Sequence, residues 1–113
     1  IKALRERGAA AKITAVGTNA SATAAMLRAG ADAAATGENA VVVACRTADV
    51  IVGPVGIAVA DALMGEVTPR MAEAVGSSRA RRVLIPVNAC ETIIVGVEEV
   101  GITTLVRKAV ELL

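Results

Sequence analysis

Asp49-Val50-Ile51-Val52-Gly53-Pro54-Val55-Gly56 is the stretch that decides the fold. Three β-branched residues in succession, with no polar alternation, describe a strand buried on both faces, and such strands belong to parallel sheets covered by helices. The run stops in Gly-Pro-Val-Gly, a rigid turn whose two glycines leave the backbone open to close approach. Three other apolar runs end in the same manner. Ile13 to Val16 leads into Gly17-Thr18-Asn19, Ala33 to Ala35 into Thr36-Gly37-Glu38-Asn39, and Val83 to Ile85 into Pro86-Val87-Asn88. In an open parallel sheet, loops leaving the carboxyl ends of strands line the ligand crevice. Four such loops rich in Gly, Asn and Thr predict one shared site for a small polar or phosphorylated ligand.

Working outward, the remaining segments supply the crossovers that a parallel sheet needs. Ile1 to Arg7 reads as the last turns of a helix stopped by Gly8. The chain therefore opens mid-helix without an initiator Met, and a further segment is expected ahead of it. Lys12 to Val16 is the first strand. Asn19 or Ser21 caps a helix that runs to about Arg28, before Gly30. Asp32 to Ala35 is a short strand, and Asn39 to Cys45 is a helix even though Val41-Val42-Val43 also suits a strand, because a crossover is needed there. Asp49 to Gly53 is the buried strand described above, and Gly56 to Met64 is ambiguous. Thr68-Pro69 starts a helix, with Thr as cap and Pro in the first position, running to about Val75. Arg82 to Pro86 is a second buried strand and Thr92 to Val95 a short antiparallel edge strand. Ile102 to Leu113 closes the chain as a helix with Leu105, Val106, Ala109, Val110 and Leu113 on one face. Alternation of this kind implies βαβ units and a mostly parallel sheet. The expected architecture is α/β, a Rossmann-like three-layer sandwich formed by one domain over residues 1–113.

Composition narrows the function classes. The 113 residues are 55% hydrophobic with no Phe, Tyr or Trp, so the core is built mainly from Ala, Val, Ile and Leu. A formal net charge of +1 and the lack of aromatic stacking residues argue against nucleic acid as a partner. No apolar stretch is long enough to span a membrane. Histidine is absent, which removes every Ser-His and Cys-His nucleophile pair and every His-ligated metal site. The two cysteines, Cys45 and Cys90, are too few and too far apart for a disulfide framework or a CxxC site; with no signal peptide visible, a cytoplasmic location is expected.

The segments Ala15-Val16-Gly17-Thr18-Asn19-Ala20, Ala29-Gly30-Ala31-Asp32 and Thr36-Gly37-Glu38-Asn39-Ala40 carry a resemblance. So do Asp49 to Gly56, Gly65-Glu66-Val67-Thr68-Pro69 and Leu84-Ile85-Pro86-Val87-Asn88. Together, and in this order along nearly the whole chain, they resemble domain-of-unknown-function family 3842, a group of small bacterial proteins. Members of that family usually open with an additional strand and a Gly-rich turn similar to a Rossmann phosphate loop, ahead of the helix that begins here. The resemblance thus implies a Rossmann-like sheet whose normally central strand lies outside this sequence, leaving a gap that a partner chain would otherwise fill. It implies no activity.

Each crevice residue has a role and a plainer alternative. Gly17, Thr18 and Asn19 stand where a dinucleotide fold places its ribose-reading acid; being neutral, they do not support ordinary NAD recognition, but Thr18 and Asn19 can bond a phosphate or ribose hydroxyl. The alternative is a turn and helix cap. Thr36, Gly37 and Asn39 open a helix whose N–H groups favour an anion. Glu38 is the one well-placed general acid or base, or else complements the helix dipole. Gly53 and Gly56 admit a ligand to the backbone or form a tight turn. Asn88 completes the set. Glu66 and Thr68 form a mobile lid or a loop with its cap; Arg79, Arg81 and Arg82 meet a phosphate or enter a strand as solvated residues. Cys90 reads as an inert thiol and Cys45 as core. The expected function is binding of a nucleotide, dinucleotide or phosphorylated metabolite as small-molecule ligand or cofactor. The competing expectation is a non-enzymatic homo-oligomer with a regulatory or scaffolding role.

Overall fold

Local punctuation in the chain fixes where its elements begin and end. The structure is a computed structural model describing residues 1–87, 91–97 and 99–113. Helix α1 (Lys2–Glu6) leads to strand β1 (Thr14–Gly17), helix α2 (Ala20–Arg28), strand β2 (Ala33–Thr36) and helix α3 (Glu38–Thr47). Strand β3 (Val50–Pro54) runs into a 3₁₀ turn (Val55–Ala58); helix α4 (Pro69–Ser77), strand β4 (Arg81–Ile85) and helix α5 (Ile102–Glu111) complete the order. Asn19 caps α2, its Oδ1 accepting from the Ala22 amide at 2.8 Å. Thr68 caps α4 ahead of Pro69, its hydroxyl accepting from the Met71 amide at 3.2 Å. Each cap satisfies an amide that the first turn of a helix leaves without an internal partner.

The strands pair in parallel, as the crossover helices demand, but as two pairs. β1 lies beside β2 with Ala15 opposite Ala34, and β3 beside β4 with Val52 opposite Val83; no backbone hydrogen bond joins the pairs. This changes the fate of the run that announced the fold. β3 was expected to be buried on both faces, yet Val50 and Val52 are 41% and 44% exposed. The reason lies in its pairing: among the described residues β3 has one strand neighbour, β4, and its other edge stays open. In β4 only Val83 is buried. Thr92 to Val95 forms no strand, and Ile93 and Val95 are almost wholly exposed. β-propensity alone does not make a strand without a partner edge. On α5, Ala109 and Val110 are buried, while Leu113, two residues beyond the helix, is exposed.

α2 lies on β1 and β2, α3 packs against α4, and α5 lies against β4 and α1. The main core cluster joins Ala62, Val67, Met71 and Ala72, with Val41, Val59 and Leu63 packed around it. The ambiguous segment after Gly56 is thus a compact loop whose Ala62 and Val67 are core residues. It is held by backbone bonds from Asp61 N to the Val67 carbonyl and from Val67 N to the Ala62 carbonyl. Asp61, Leu63 and Met64 adopt left-handed backbone conformations to make it so.

At the amino ends of β1 and β2, Arg5 acts as a staple. Its guanidinium donates to the carbonyls of Gly30 (2.9 Å), Ala9 (3.1 Å) and Ala11 (2.9 Å) and to Asp32 Oδ2 (2.8 Å). Asp32 Oδ2 also accepts from the Ile13 amide at 2.7 Å. That amide, and after it Arg5, holds the Asp32 carboxyl below the ordinary carboxylate range. A depressed folded-state pKa contributes stability that is present above the unfolded value of about 3.9 and is lost as pH falls through the folded one. Between about pH 5 and pH 3, the melting temperature of the native chain should therefore fall more steeply than that of Asp32→Asn. Parallel acid limbs for the two proteins would show that Asp32 is not a source of the acid lability.

Candidate ligand crevice

The loops that leave β1, β2 and β3 at their carboxyl ends meet through a set of side-chain and backbone bonds. Gly37 N donates to the Gly17 carbonyl at 3.0 Å, tying the β2–α3 turn to the β1–α2 turn. Glu66, at the end of the compact loop after β3, reaches back to the first of these. Its Oε2 accepts from Thr18 Oγ1 at 3.3 Å and its Oε1 from Asn19 Nδ2 at 3.2 Å. Two residues on, the Thr68 hydroxyl donates to Glu38 Oε1 at 2.7 Å. Residues distant in sequence thereby form one continuous rim from β1 to α4.

Thr18, Asn19, Glu38 and the Gly37 backbone belong to this rim. Asn39 lies in the first turn of α3 and is exposed. Gly53 and Gly56 sit where β3 passes into the 3₁₀ turn, and Gly56 is buried. Thr36 is exposed, its Oγ1 2.7 Å from Thr23 Oγ1 on α2. Asn88 and Cys90 lie outside the described residues.

Gly17 and Gly53 differ in what they make room for. A Cβ on Gly17 would run into Thr23 Oγ1 and lie 2.8 Å from the Thr23 backbone nitrogen, so this glycine lets α2 pack on β1. A Cβ on Gly53 would meet the end of the Ile57 side chain at 2.8 Å, a contact that a rotamer change relieves. Between Glu66 and Thr68, Val67 is 1% exposed within the core, and Thr68 caps α4.

The rim is acidic. Glu38 and Glu66 contribute two carboxylates, and positions 17–19, 36–39, 53–56 and 66–68 contain no Lys or Arg. Arg81 and Arg82 stand at the amino end of β4, remote in the strand direction from the carboxyl-end loops. Arg82 is engaged there, donating to the Ser78 carbonyl at 2.7 Å. Cys45 is half-buried on α3, and burial pushes its thiol pKa up, which keeps it protonated and weakly nucleophilic at neutral pH. Among the described residues, no three acidic or cysteine side chains gather in a way that could hold a metal ion. Two open grooves, of about 280 and about 430 Å³, lie elsewhere, against α5, and share Val97, Val100 and Leu105. No helix among the described residues is long and apolar enough to cross a membrane.

Comparison with known proteins adds one assignment. No curated protein and no solved structure matches the chain. A family model matches residues 1–113, and the chain belongs to the family described as Domain of unknown function (DUF3842).

Proposed function

We propose that the rim formed by Thr18, Asn19, Gly37, Glu38, Asn39, Gly53, Gly56 and Glu66 binds a nucleotide, dinucleotide or phosphorylated metabolite. The observation that carries this reading is the tie from Glu66 to Thr18 and Asn19, which draws the β3–α4 loop onto the turn that follows β1. Loops converging at the carboxyl ends of parallel strands are the usual location of ligand sites in open α/β sheets. The reading goes with a Rossmann-like arrangement in which the two parallel pairs are halves of one sheet, in the order β2-β1-β3-β4. In that arrangement α3 and α4 form one helical layer and α1, α2 and α5 the other. The packing of α3 on α4 and of α1 on α5 supports that layering. The 2.7 Å bond to Thr68 gives Glu38 a positioning role in the rim, which joins α3 to the α4 cap. In a catalytic version of the site, the same carboxylate is the acid or base.

A thermal-shift screen against nucleotides, dinucleotides and sugar phosphates tests the proposal. At ligand concentrations about a hundredfold above Kd, binding adds about 2.7 kcal/mol, a rise of roughly 10 °C for a domain of this size. Asn19→Ala should abolish the shift while also lowering the unliganded melting temperature through loss of the α2 cap. Asn19→Asp should abolish the shift and keep the cap, because Asp accepts from the Ala22 amide but has no amide donor. A flat response across the screen would defeat the binding reading.

One observation favours a second reading, that of a non-enzymatic oligomer. The chain exposes 7212 Å², whereas a compact monomer of its mass exposes about 5,700 Å². The surplus of roughly 1,500 Å² on one chain is about twice the ~800 Å² that each partner buries in a standard protein–protein interface. Val50 and Val52 of β3 are among the exposed large apolar residues. Sedimentation equilibrium giving a dimer or larger species, with no response to any ligand, would establish this reading over the first.

A further inference from the structure

We infer that the face formed by α5 and residues 92–97 is the contact surface of a twofold dimer, its occupant a second copy of this chain. The inference rests on the oligomeric reading above, to which it gives an interface, and is independent of the ligand at the rim. Ile93 and Val95 are 90% and 95% exposed, and Ile102, at the start of α5, is 61% exposed. Ile93 stands on the wall of the larger groove, about 430 Å³, whose other apolar walls include Pro86, Val87, Val97, Val100 and Leu105. The smaller groove shares Val97, Val100 and Leu105 with it and reaches Lys108. Single exposed apolar residues are ordinary, but several gathered on one face beside a recess mark an interaction surface.

Shape, charge and area each select a second copy as the occupant. In an isologous contact, whatever protrudes on one subunit meets the recess of the other, and the reverse. This face carries both parts: Ile93 and Val95 supply the protruding side chains, and the groove along α5 supplies the recess. The charges are complementary in the same sense. Glu99 lies on the wall of the larger groove and Lys108 on that of the smaller; both are exposed, and neither is ion-paired among the described residues. A twofold axis sets Glu99 of each copy towards Lys108 of the other, a pairing that fixes register more than it adds affinity. A formal net charge of +1 leaves little long-range repulsion between copies. The area also suffices, since the surplus of roughly 1,500 Å² exceeds the ~800 Å² that each subunit contributes to a standard interface.

Sedimentation equilibrium on the full chain, loaded from about 1 to 100 μM to cover the weak end of standard interfaces, tests the inference. The native chain should be a dimer. Val95→Glu, which places a carboxylate from each copy in the apolar contact, should raise the dimer Kd at least about 100-fold. Because Val95 is exposed in the single chain, the variant should keep the native circular dichroism spectrum. Lys108→Glu should weaken the dimer about tenfold by facing like charges, and Glu99→Lys added to it should restore the Kd to within about threefold. Val52→Glu, on β3, should leave the Kd unchanged. A dimer that survives Val95→Glu, one whose weakening in Lys108→Glu is not rescued by Glu99→Lys, or one lost in Val52→Glu overturns this interface and leaves the oligomeric reading standing. A chain that stays monomeric throughout overturns both, and the ligand reading is then unaffected.

Discussion

Met71→Ala is expected to cost about 3 kcal/mol of stability and to lower the melting temperature by roughly 12 °C. Met71 is 5% exposed and belongs to the cluster with Ala62, Val67 and Ala72. That cluster does more than fill space. Met71 lies on α4, Ala62 and Val67 on the loop that carries Glu66, and Val41 on α3, so one side chain buttresses three separate segments of the rim. Replacing it by Ala removes buried methylene and thioether surface and leaves a cavity beside a loop with left-handed residues at Asp61, Leu63 and Met64. Such a loop has little freedom to collapse into the space, so the cost should fall well inside the range for large-to-small core changes. Urea unfolding followed by circular dichroism measures it directly. A loss below about 1 kcal/mol would mean that the loop is held by its own backbone bonds rather than by this cluster.

The parts of this fold that sequence reveals are those decided locally. Asn19 and Thr68 were readable as caps because a short polar side chain ahead of a helical run has one favourable use, and both make that bond. The crossover helix over Val41-Val42-Val43 was readable from topology, since a parallel sheet needs it, against a local preference for strand. What stayed hidden depends on which partner each segment finds. Val50-Ile51-Val52 carries the signal of a buried strand, but burial is conferred by neighbours on both sides, and β3 has one strand neighbour. Thr92 to Val95 has a strand-like composition yet forms no strand. The rim was legible as a set of loops, not as a set of contacts. The tie from Glu66 to Asn19 spans 47 residues and depends on a loop whose left-handed positions are Asp, Leu and Met rather than the glycines that advertise such turns. The neutral turn at the end of β1 was visible in the sequence; its contact with Glu66 was not.

Gly17→Ala should destabilise the chain by about 3 kcal/mol, at the upper end for a small-to-large change, whereas Gly53→Ala should cost less than about 1 kcal/mol. Both glycines end a strand at the rim, and by composition alone they are equivalent. Their surroundings are not. The methyl group on residue 17 would press on Thr23 Oγ1 and on two backbone atoms, Thr23 N at 2.8 Å and the Asn19 carbonyl oxygen at 3.0 Å. These belong to the capped first turn of α2, where Thr23 N donates to the Asn19 carbonyl and Thr23 Oγ1 lies 2.7 Å from Thr36 Oγ1. Relieving the clash means lifting α2 from β1, and with it the helix that covers the first sheet. At residue 53 the obstacle is the far end of Ile57, which turns aside. The pair therefore separates structural from functional need. Thermal melts should rank the two variants far apart, and ligand titration should reverse the emphasis: Gly53→Ala stays folded yet loses affinity if the ligand approaches the β3 backbone. Equal melting temperatures would show that α2 can shift on β1 at little cost. A stable Gly53→Ala with undiminished affinity would remove β3 from the ligand's path and confine the site to the β1, β2 and Glu66 side of the rim.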